Sequence, residues 1–291
     1  MPSNSPTADT TAGVLYVVAT PIGHLEDITL RALKVLKAVD LIAAEDTRHS
    51  GRLLRHYDIK RPLQAYHEHN EARITPHLIQ SLQAGHSVAL ICNAGTPGVS
   101  DPGFRLVRAA VQAGIEVVPI PGVSAAVAAL SAAGMATDGF IFAGFLAKKS
   151  GPRNGAIEVL ADEVRTLIVY ESPKRILKLL ALLRTAWGDR EAVLARELTK
   201  LNEEFIRGPL SYIEQVLAGR DAIKGECTLL VAGCTDSSDE DQWPAVQVVL
   251  RQGLETEQQP LAELVRQVAE QTGLARNKLY AEALRIRREI S

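Results

Sequence analysis

Ser87-Val-Ala-Leu-Ile-Cys92 runs straight into Asn93-Ala-Gly-Thr-Pro-Gly98-Val-Ser-Asp-Pro-Gly103, and Phe104-Arg-Leu-Val-Arg-Ala-Ala-Val111 follows. The first piece is a short, continuous apolar run, which reads as a strand buried on both faces. The last has helical spacing. The middle is a strand-to-helix loop made tight by three glycines and two prolines. In an open parallel sheet such a loop lies at the carboxyl end of its strand, where small ligands bind. Asp101 before Pro102 is placed to cap the helix that follows. A rigid turn without a ligand and a ligand site are both compatible with the loop read alone.

The same rhythm repeats outward. Strands are expected at Val14–Ala19, Leu41–Ala44, Pro62–Tyr66 (an edge strand) and Ile115–Ile120. Helices are expected from Asp27 or Thr29, from Ser50 to Tyr57, from Ala72 to Gly85 and from Ala125 to Ala133. Alternation of this kind predicts a doubly wound parallel sheet. Gly134 to Gly139 breaks the pattern, and a second set of strands follows at Phe140–Leu146, Thr166–Tyr170, Ala192–Arg196, Glu203–Gly208 and Glu226–Ala232. The later ones lie close together, which favours antiparallel pairing and a mixed sheet. Helices are placed at Pro173–Trp187 and Pro209–Leu217, and Lys148 to Arg153 reads as a basic, flexible loop.

The chain thus divides into an α/β domain over 14–138, a second α/β domain over 139–233, an acidic linker over 234–242 and a helical domain over 243–291. In the last, Leu261–Gln271 and Leu274–Arg288 flank Thr272-Gly273 like a helix-turn-helix unit. The second of these helices is basic, with Arg276 and Lys278 near its start.

At 291 residues, 46% hydrophobic, the chain can fill more than one core. A net charge of −2 excludes a polycation, so any nucleic-acid contact must come from a local basic surface. Cys92, Cys227 and Cys234 fit neither a disulfide framework nor a zinc site and indicate a reducing compartment. Residues 1–13 are small and polar, unlike a signal peptide, and no apolar run reaches membrane-spanning length. A soluble, cytoplasmic protein is expected.

Neither Gly-x-x-x-x-Gly-Lys-Ser/Thr nor Gly-x-Gly-x-x-Gly is present, nor Gly-x-Ser-x-Gly, which argues against those phosphate cradles and an acyl-transfer serine. His67-x-His69 lacks the further ligands of a metal site, so no metal is expected. A parallel first sheet would bring four loops to one edge: Thr20–Gly23, Glu45–His49, Asn93–Gly103 and Pro121–Ser124. Rigid loops with a few polar groups are what a small-ligand pocket needs. Glu45, Asp46 and Arg48 fit equally a helix start whose charges pair with one another. Lys148, Lys149 and Arg153 are suited to a phosphate backbone, or to a solvated loop.

Seven ordered segments resemble the tetrapyrrole-methylase superfamily, and within it the enzymes that methylate small-subunit ribosomal RNA. They are Ala19-Thr-Pro-Ile-Gly23, Ala44-Glu-Asp-Thr-Arg48, Ala94-Gly-Thr-Pro-Gly98 with Ser100-Asp-Pro-Gly103, Pro121-Gly-Val-Ser-Ala125, Gly144-Phe-Leu146 with Arg153, Tyr170-Glu-Ser-Pro173 and Arg196-Glu-Leu-Thr-Lys200. The likeness spans Val14 to Gly233 and extends to the helical tail. It implies two α/β domains facing a cleft, a homodimer, S-adenosylmethionine in the cleft, and methylation of a cytidine ribose 2′-oxygen in the decoding region of 16S rRNA.

Carried over residue by residue, the resemblance puts Pro21, Asn93, Ala94, Thr96, Ser124, Ala125, Tyr170, Ala195 and Thr228 at the cofactor. Glu45, Asp46 and Asp101 are the candidate bases for a hydroxyl that is a poor nucleophile at neutral pH. Arg48, Lys148, Lys149, Arg153, Arg276 and Lys278 would hold RNA. The family usually has Asp where this chain has Asn93, which keeps an acceptor oxygen and loses a charge. Cys227 stands where a bulky apolar residue is expected. A small tetrapyrrole-like acceptor and a non-catalytic ribosome-binding module are the other readings; the basic segments speak against the first, and Asn93 is the one feature favouring the second.

Overall fold

The computed structural model describes residues 12–234, 237–255, 260–272, 274 and 276–290, with the side chains of 237–242 and 276–278 outside that description. The residues fall into two compact units, 1–233 and 234–291.

Five strands, β1 (Leu15–Val18), β2 (Leu41–Ala44), β3 (Leu63–Ala65), β4 (Val88–Ile91) and β5 (Val117–Ile120), form an all-parallel sheet in the order β3-β2-β4-β1-β5. Their helices are α1 (Leu30–Ala38), α2 (Thr47–His56), α3 (Glu71–Gln83), α4 (Phe104–Gln112) and α5 (Ala125–Ala133). Alternation along β4 explains its continuous apolar run. Ala89 and Ile91 face the core beneath α1 and α2, while Val88 and Leu90 face the one beneath α3 and α4. Helices cover both faces, so no position of the strand tolerates a polar side chain.

The second sheet contains β6 (Phe140–Phe145), β7 (Thr166–Glu171), β8 (Glu191–Arg196), β9 (Glu204–Pro209) and β10 (Cys227–Val231), in the order β6-β7-β10-β8-β9. Only β6 and β7 pair in parallel; the remaining three pairs are antiparallel. Its helices are α6 (Ser150–Val159), α7 (Ile176–Trp187) and α8 (Leu210–Ala218), which share a core with β7, β8 and β10. Helix α5 joins the two halves. Its Ala126, Ala129, Leu130 and Ala133 pack against Ile168, Val193, Ala195 and Leu230 of the second sheet. Three alanines among these four positions let helix and sheet approach closely. Arg207 then holds the C-terminal carbonyls of Ala132 and Ala133, at 2.7 and 3.3 Å.

Two expectations are corrected. The basic segment at 148–153 is not a loop throughout, because α6 begins at Ser150 with Lys149 in the extended cap position. Gly151 and Pro152 suggested a break, yet proline is tolerated in the first turn of a helix, where its missing N–H is not needed. The acidic stretch expected as a linker is largely helical: α9 (Ser237–Glu255) starts inside it, while 235–236 lie outside the described residues. A short polar run that opens a helix cannot be told from a linker by composition alone. The second unit packs α9 with α10 (Leu261–Thr272) and α11 (Arg276–Ile290) around Val246, Leu250, Leu264, Val268, Leu279 and Ile286. Gly273 of the expected turn lies outside the described residues.

Candidate active site

Three of the four loops at the carboxyl edge of the first sheet are tied together. Thr20 and Gly95 exchange both backbone hydrogen bonds, at 2.9 Å each. Thr20 Oγ1 donates to the Cys92 carbonyl at 3.1 Å, and Thr96 Oγ1 donates to the Val123 carbonyl at 3.3 Å. Gly103, at φ +146°, takes a conformation that L side chains rarely adopt, and a Cβ there would meet Gly98 N at 3.1 Å and the Leu90 side chain at 3.0 Å. The glycines of this loop are therefore needed to fold it back on itself.

These loops face the second sheet across a cavity of about 420 Å³. Ile22, Ala94, Gly95, Thr96, Val99, Ser100, Asp101, Ser124 and Ala125 form one wall. Phe145, Tyr170, Glu171, Ser172, Pro173, Leu198, Glu226, Cys227 and Thr228 form the other. Thr228 sits opposite Tyr170 on one side and Ala195 on the other, so three expected site residues stand in one row across β7, β10 and β8. The Tyr170 hydroxyl accepts from the Ala126 amide at 2.9 Å, which caps the start of α5 and fixes Ser124 and Ala125 beside it. Burial raises the Tyr170 pKa, so the hydroxyl stays protonated. Its ring lies edge-on to Phe142 and Phe145, at 4.9 and 5.6 Å between centroids.

Asp101 is the carboxylate with the unusual environment. Burial first, and then the Glu45 charge, push it up to about 6. It does not cap α4; Gly103 occupies that position, without a side-chain cap. Behind it Cys92 donates to the Ala94 and Gly95 carbonyls, at 3.1 and 3.4 Å, and burial drives this thiol far above its ordinary range, so it is inert. Glu45 reaches the same loop from β2: its Oε2 accepts from the Asn93 amide at 3.1 Å.

Other expected residues fall elsewhere. Asp46 caps α2, accepting from the Arg48 and His49 amides at 2.8 and 3.4 Å, and these bonds hold its carboxyl below the ordinary range. Helix α2 accordingly begins at Thr47, not at Ser50, and the capping reading of this loop holds. Neither Glu45 nor Asp46 lines the cavity, so the fourth loop supports the site without forming it. Pro21 and Ala195 are buried behind the wall that Ile22 and Thr228 present.

Asn93 lies outside the cavity lining, with its Oδ1 buried and without a partner. An Asp here would set a second carboxylate beside Glu45, and Asn avoids that repulsion. Cys227 does line the cavity, where burial lifts its thiol to about 11. Lys148 and Lys149 are exposed just past Phe145, and the Arg48 side chain is 91% exposed. Arg153 is buried inside α6 and not available to a phosphate backbone. The side chains of Arg276 and Lys278 are outside the described residues.

Ser100, Phe145, Leu198 and Glu226 were not expected at the site, nor Glu171 to Pro173. Tyr170-Glu-Ser-Pro173 and Arg196-Glu-Leu-Thr-Lys200 carried the signal for most of them, since such short polar motifs directly after strands mark the same edge. Glu171 is 3% exposed; it accepts from the Ser172 amide at 2.7 Å and pairs with Arg175 at 2.8 Å. Gly23 brings the halves together: a Cβ there would stand 2.5 Å from Lys200 Cγ and 2.6 Å from Thr199 Oγ1. The adjacent His24 amide donates to Thr199 Oγ1 at 3.0 Å.

Comparison with known proteins places this arrangement among methylases. The family described as Tetrapyrrole (Corrin/Porphyrin) Methylases matches residues 14–214. The chain is 46% identical over 280 residues to the ribosomal RNA small subunit methyltransferase I of Synechocystis sp., covering 94% of this chain and 98% of that one. It is 49% identical over 275 residues to the protein of that name from Pseudomonas aeruginosa, covering 94% and 97%. Among solved structures, uroporphyrin-III-C-methyltransferase from Thermus thermophilus has the same fold, with a TM-score of 0.56 at 24% identity over 76% of this chain and 94% of that one.

Proposed function

Because the chain belongs to the tetrapyrrole methylase family, and within it stands with the ribosomal RNA small subunit methyltransferase I enzymes, we propose that it methylates the ribose 2′-oxygen of a cytidine in the decoding region of 16S rRNA. It is an S-adenosylmethionine-dependent methyltransferase of rRNA. Nearly half-identity along almost the whole chain to enzymes of that name argues against a small tetrapyrrole acceptor and against a non-catalytic module.

The cavity suits the cofactor. Its volume of about 420 Å³ falls within the range of about 300–1,000 Å³ usual for small-molecule sites. Apolar walls from Ile22, Ala94, Ala125 and Leu198 suit an adenosine, and Asp101, Glu171 and Glu226 favour a positive charge. Ala94, Thr96, Ser124, Ala125, Tyr170 and Thr228 would hold it, with Pro21, Asn93 and Ala195 supporting them from behind. S-adenosylmethionine, when bound, supplies a methyl group on a positively charged sulfur. The chain's own contribution is mainly alignment.

The observation that carries the reading is Asp101: a half-buried carboxylate, pushed up to about 6, in the wall of that cavity. It is ionised at neutral pH yet basic enough to take the hydroxyl proton at its carboxylate oxygen. Glu45 acts through the Asn93 amide and through its charge on Asp101, and Asp46 is a helix cap. Lys148, Lys149 and Arg48 are exposed for phosphate contact, and Arg276 and Lys278 belong to the same expectation. The reading includes a homodimer working in the cytoplasm, its assembly checked by sedimentation. Small subunits from a strain lacking the enzyme should gain one methyl group, located by mass spectrometry at a cytidine ribose. No transfer to such subunits would defeat the proposal.

A further inference from the structure

A second cavity, of about 810 Å³, lies between α3 and α4, and it meets the first at Ser100 and Asp101, which line both. The shared wall is firmly set. Ser100 adopts φ +63°, a conformation non-glycine residues rarely take, and its Oγ would stand 2.7 Å from a Cβ at Gly144, so it packs on a position where only glycine fits. Asp101 therefore looks into the donor cavity on one side and into this groove on the other.

Phe104, Arg105 and Arg108 of the groove are exposed and have no role in the core, whereas Thr75 at its floor is buried against Tyr66. Phe104 lines it and is 70% exposed, with no ring stacked on it among the described residues. Arg108 stands one helical turn further along the same face and has no carboxylate partner among the described residues. Arg105 meets Glu71 on α3 across the groove, at 3.2 Å, while its side chain stays 55% exposed. An unstacked aromatic face beside two accessible guanidiniums is the chemistry that recognises a nucleotide: the ring stacks on a base and the guanidiniums bind phosphates.

We propose that the groove between α3 and α4 holds the nucleotide to be methylated, its base on Phe104 and its flanking phosphates at Arg105 and Arg108. The ribose then lies at the shared wall, within reach of Asp101. This rests on the rRNA methyltransferase reading and deepens it. A base paired in an RNA helix cannot stack on a side chain, so the target nucleotide is bound unpaired.

The test uses the full chain and small subunits lacking the modification. Phe104→Ala should raise the KM for subunits about tenfold or more, with S-adenosylmethionine affinity by calorimetry unchanged and Phe104→Tyr restoring most of the loss. Arg108→Ala should raise the same KM and lessen its dependence on salt. An unchanged subunit KM in both Phe104→Ala and Arg108→Ala overturns the proposal, as does a matching loss of cofactor affinity, which would place Phe104 at the donor instead. If the unaltered protein methylates no subunits, the functional reading fails; if it does and the variants match it, only the groove assignment fails.

Discussion

Replacing Asp101 by Asn tests the site at its centre. Burial, and behind it the Glu45 charge, push the carboxyl from 3.8 to about 6. The folded chain thus holds this proton more readily than the unfolded chain, and the ionised form works against folding. That cost is fully present above about pH 6 and disappears as pH falls below 3.8. For a sealed group the difference is worth about 3 kcal/mol, at about 1.4 kcal/mol per pH unit. Asp101 is only half-buried, so screening by water leaves about 1–2 kcal/mol. Asp101→Asn removes the charge and should unfold at a higher temperature than the natural chain at pH 8, with the gain shrinking toward pH 4. Activity should move the other way. Methyl transfer should fall about a hundredfold or more, far more than cofactor affinity by calorimetry, which loses one of the three carboxylates lining the cavity and keeps Glu171 and Glu226. In the natural chain kcat/KM should rise with pH through about 6. A variant no more stable at pH 8 refutes the burial argument, and an undiminished turnover removes Asp101 from the proton's path.

Two further outcomes follow from the same geometry. Glu45→Gln keeps an acceptor for the Asn93 amide but removes the second-largest influence on Asp101; the pH–activity midpoint should shift downward, and an unmoved midpoint would show that the two carboxylates are not coupled. Gly23→Ala forces a Cβ against the Lys200 side chain, Thr199 Oγ1 and the Leu198 carbonyl, at 2.5, 2.6 and 2.9 Å. It should cost about 1–3 kcal/mol in chemical denaturation and weaken cofactor binding with it, since Ile22 and Leu198 on either side of that contact line the cavity; a variant as stable as the natural chain would refute the close approach.

The loop after β4 shows how much local pattern can carry. Its apolar run, its glycines and its prolines dictate a strand buried on two faces and a tight return, because each of those demands is met within a few residues. The same holds for the parallel first sheet and for the mixed second one. Locally, however, Asp46 and Asp101 look alike, each an acid shortly before a helix in a strand-to-helix loop. One is a cap because the α2 amides stand within 3.4 Å of it; the other is desolvated because loops distant in the chain close around it.

Arg153 makes the same point for charge. By its neighbours it belongs with Lys148 and Lys149, but the helix that starts at Ser150 turns it inward. The groove beside Phe104 had no legible trace, since an exposed ring and a core ring read identically as letters in a helical pattern. What the sequence by itself determined, the starts of α6 and α9 apart, is which segments are strand, turn and helix, and which loops reach the carboxyl edge: these depend on side-chain size, periodicity and backbone freedom over a few residues. Only the tertiary structure decided which acid is desolvated, which cation is free and which cavity adjoins which, because desolvation and proximity are set by chain segments as much as 175 residues apart in sequence, as His24 and Thr199 are, that meet only once the two sheets pack.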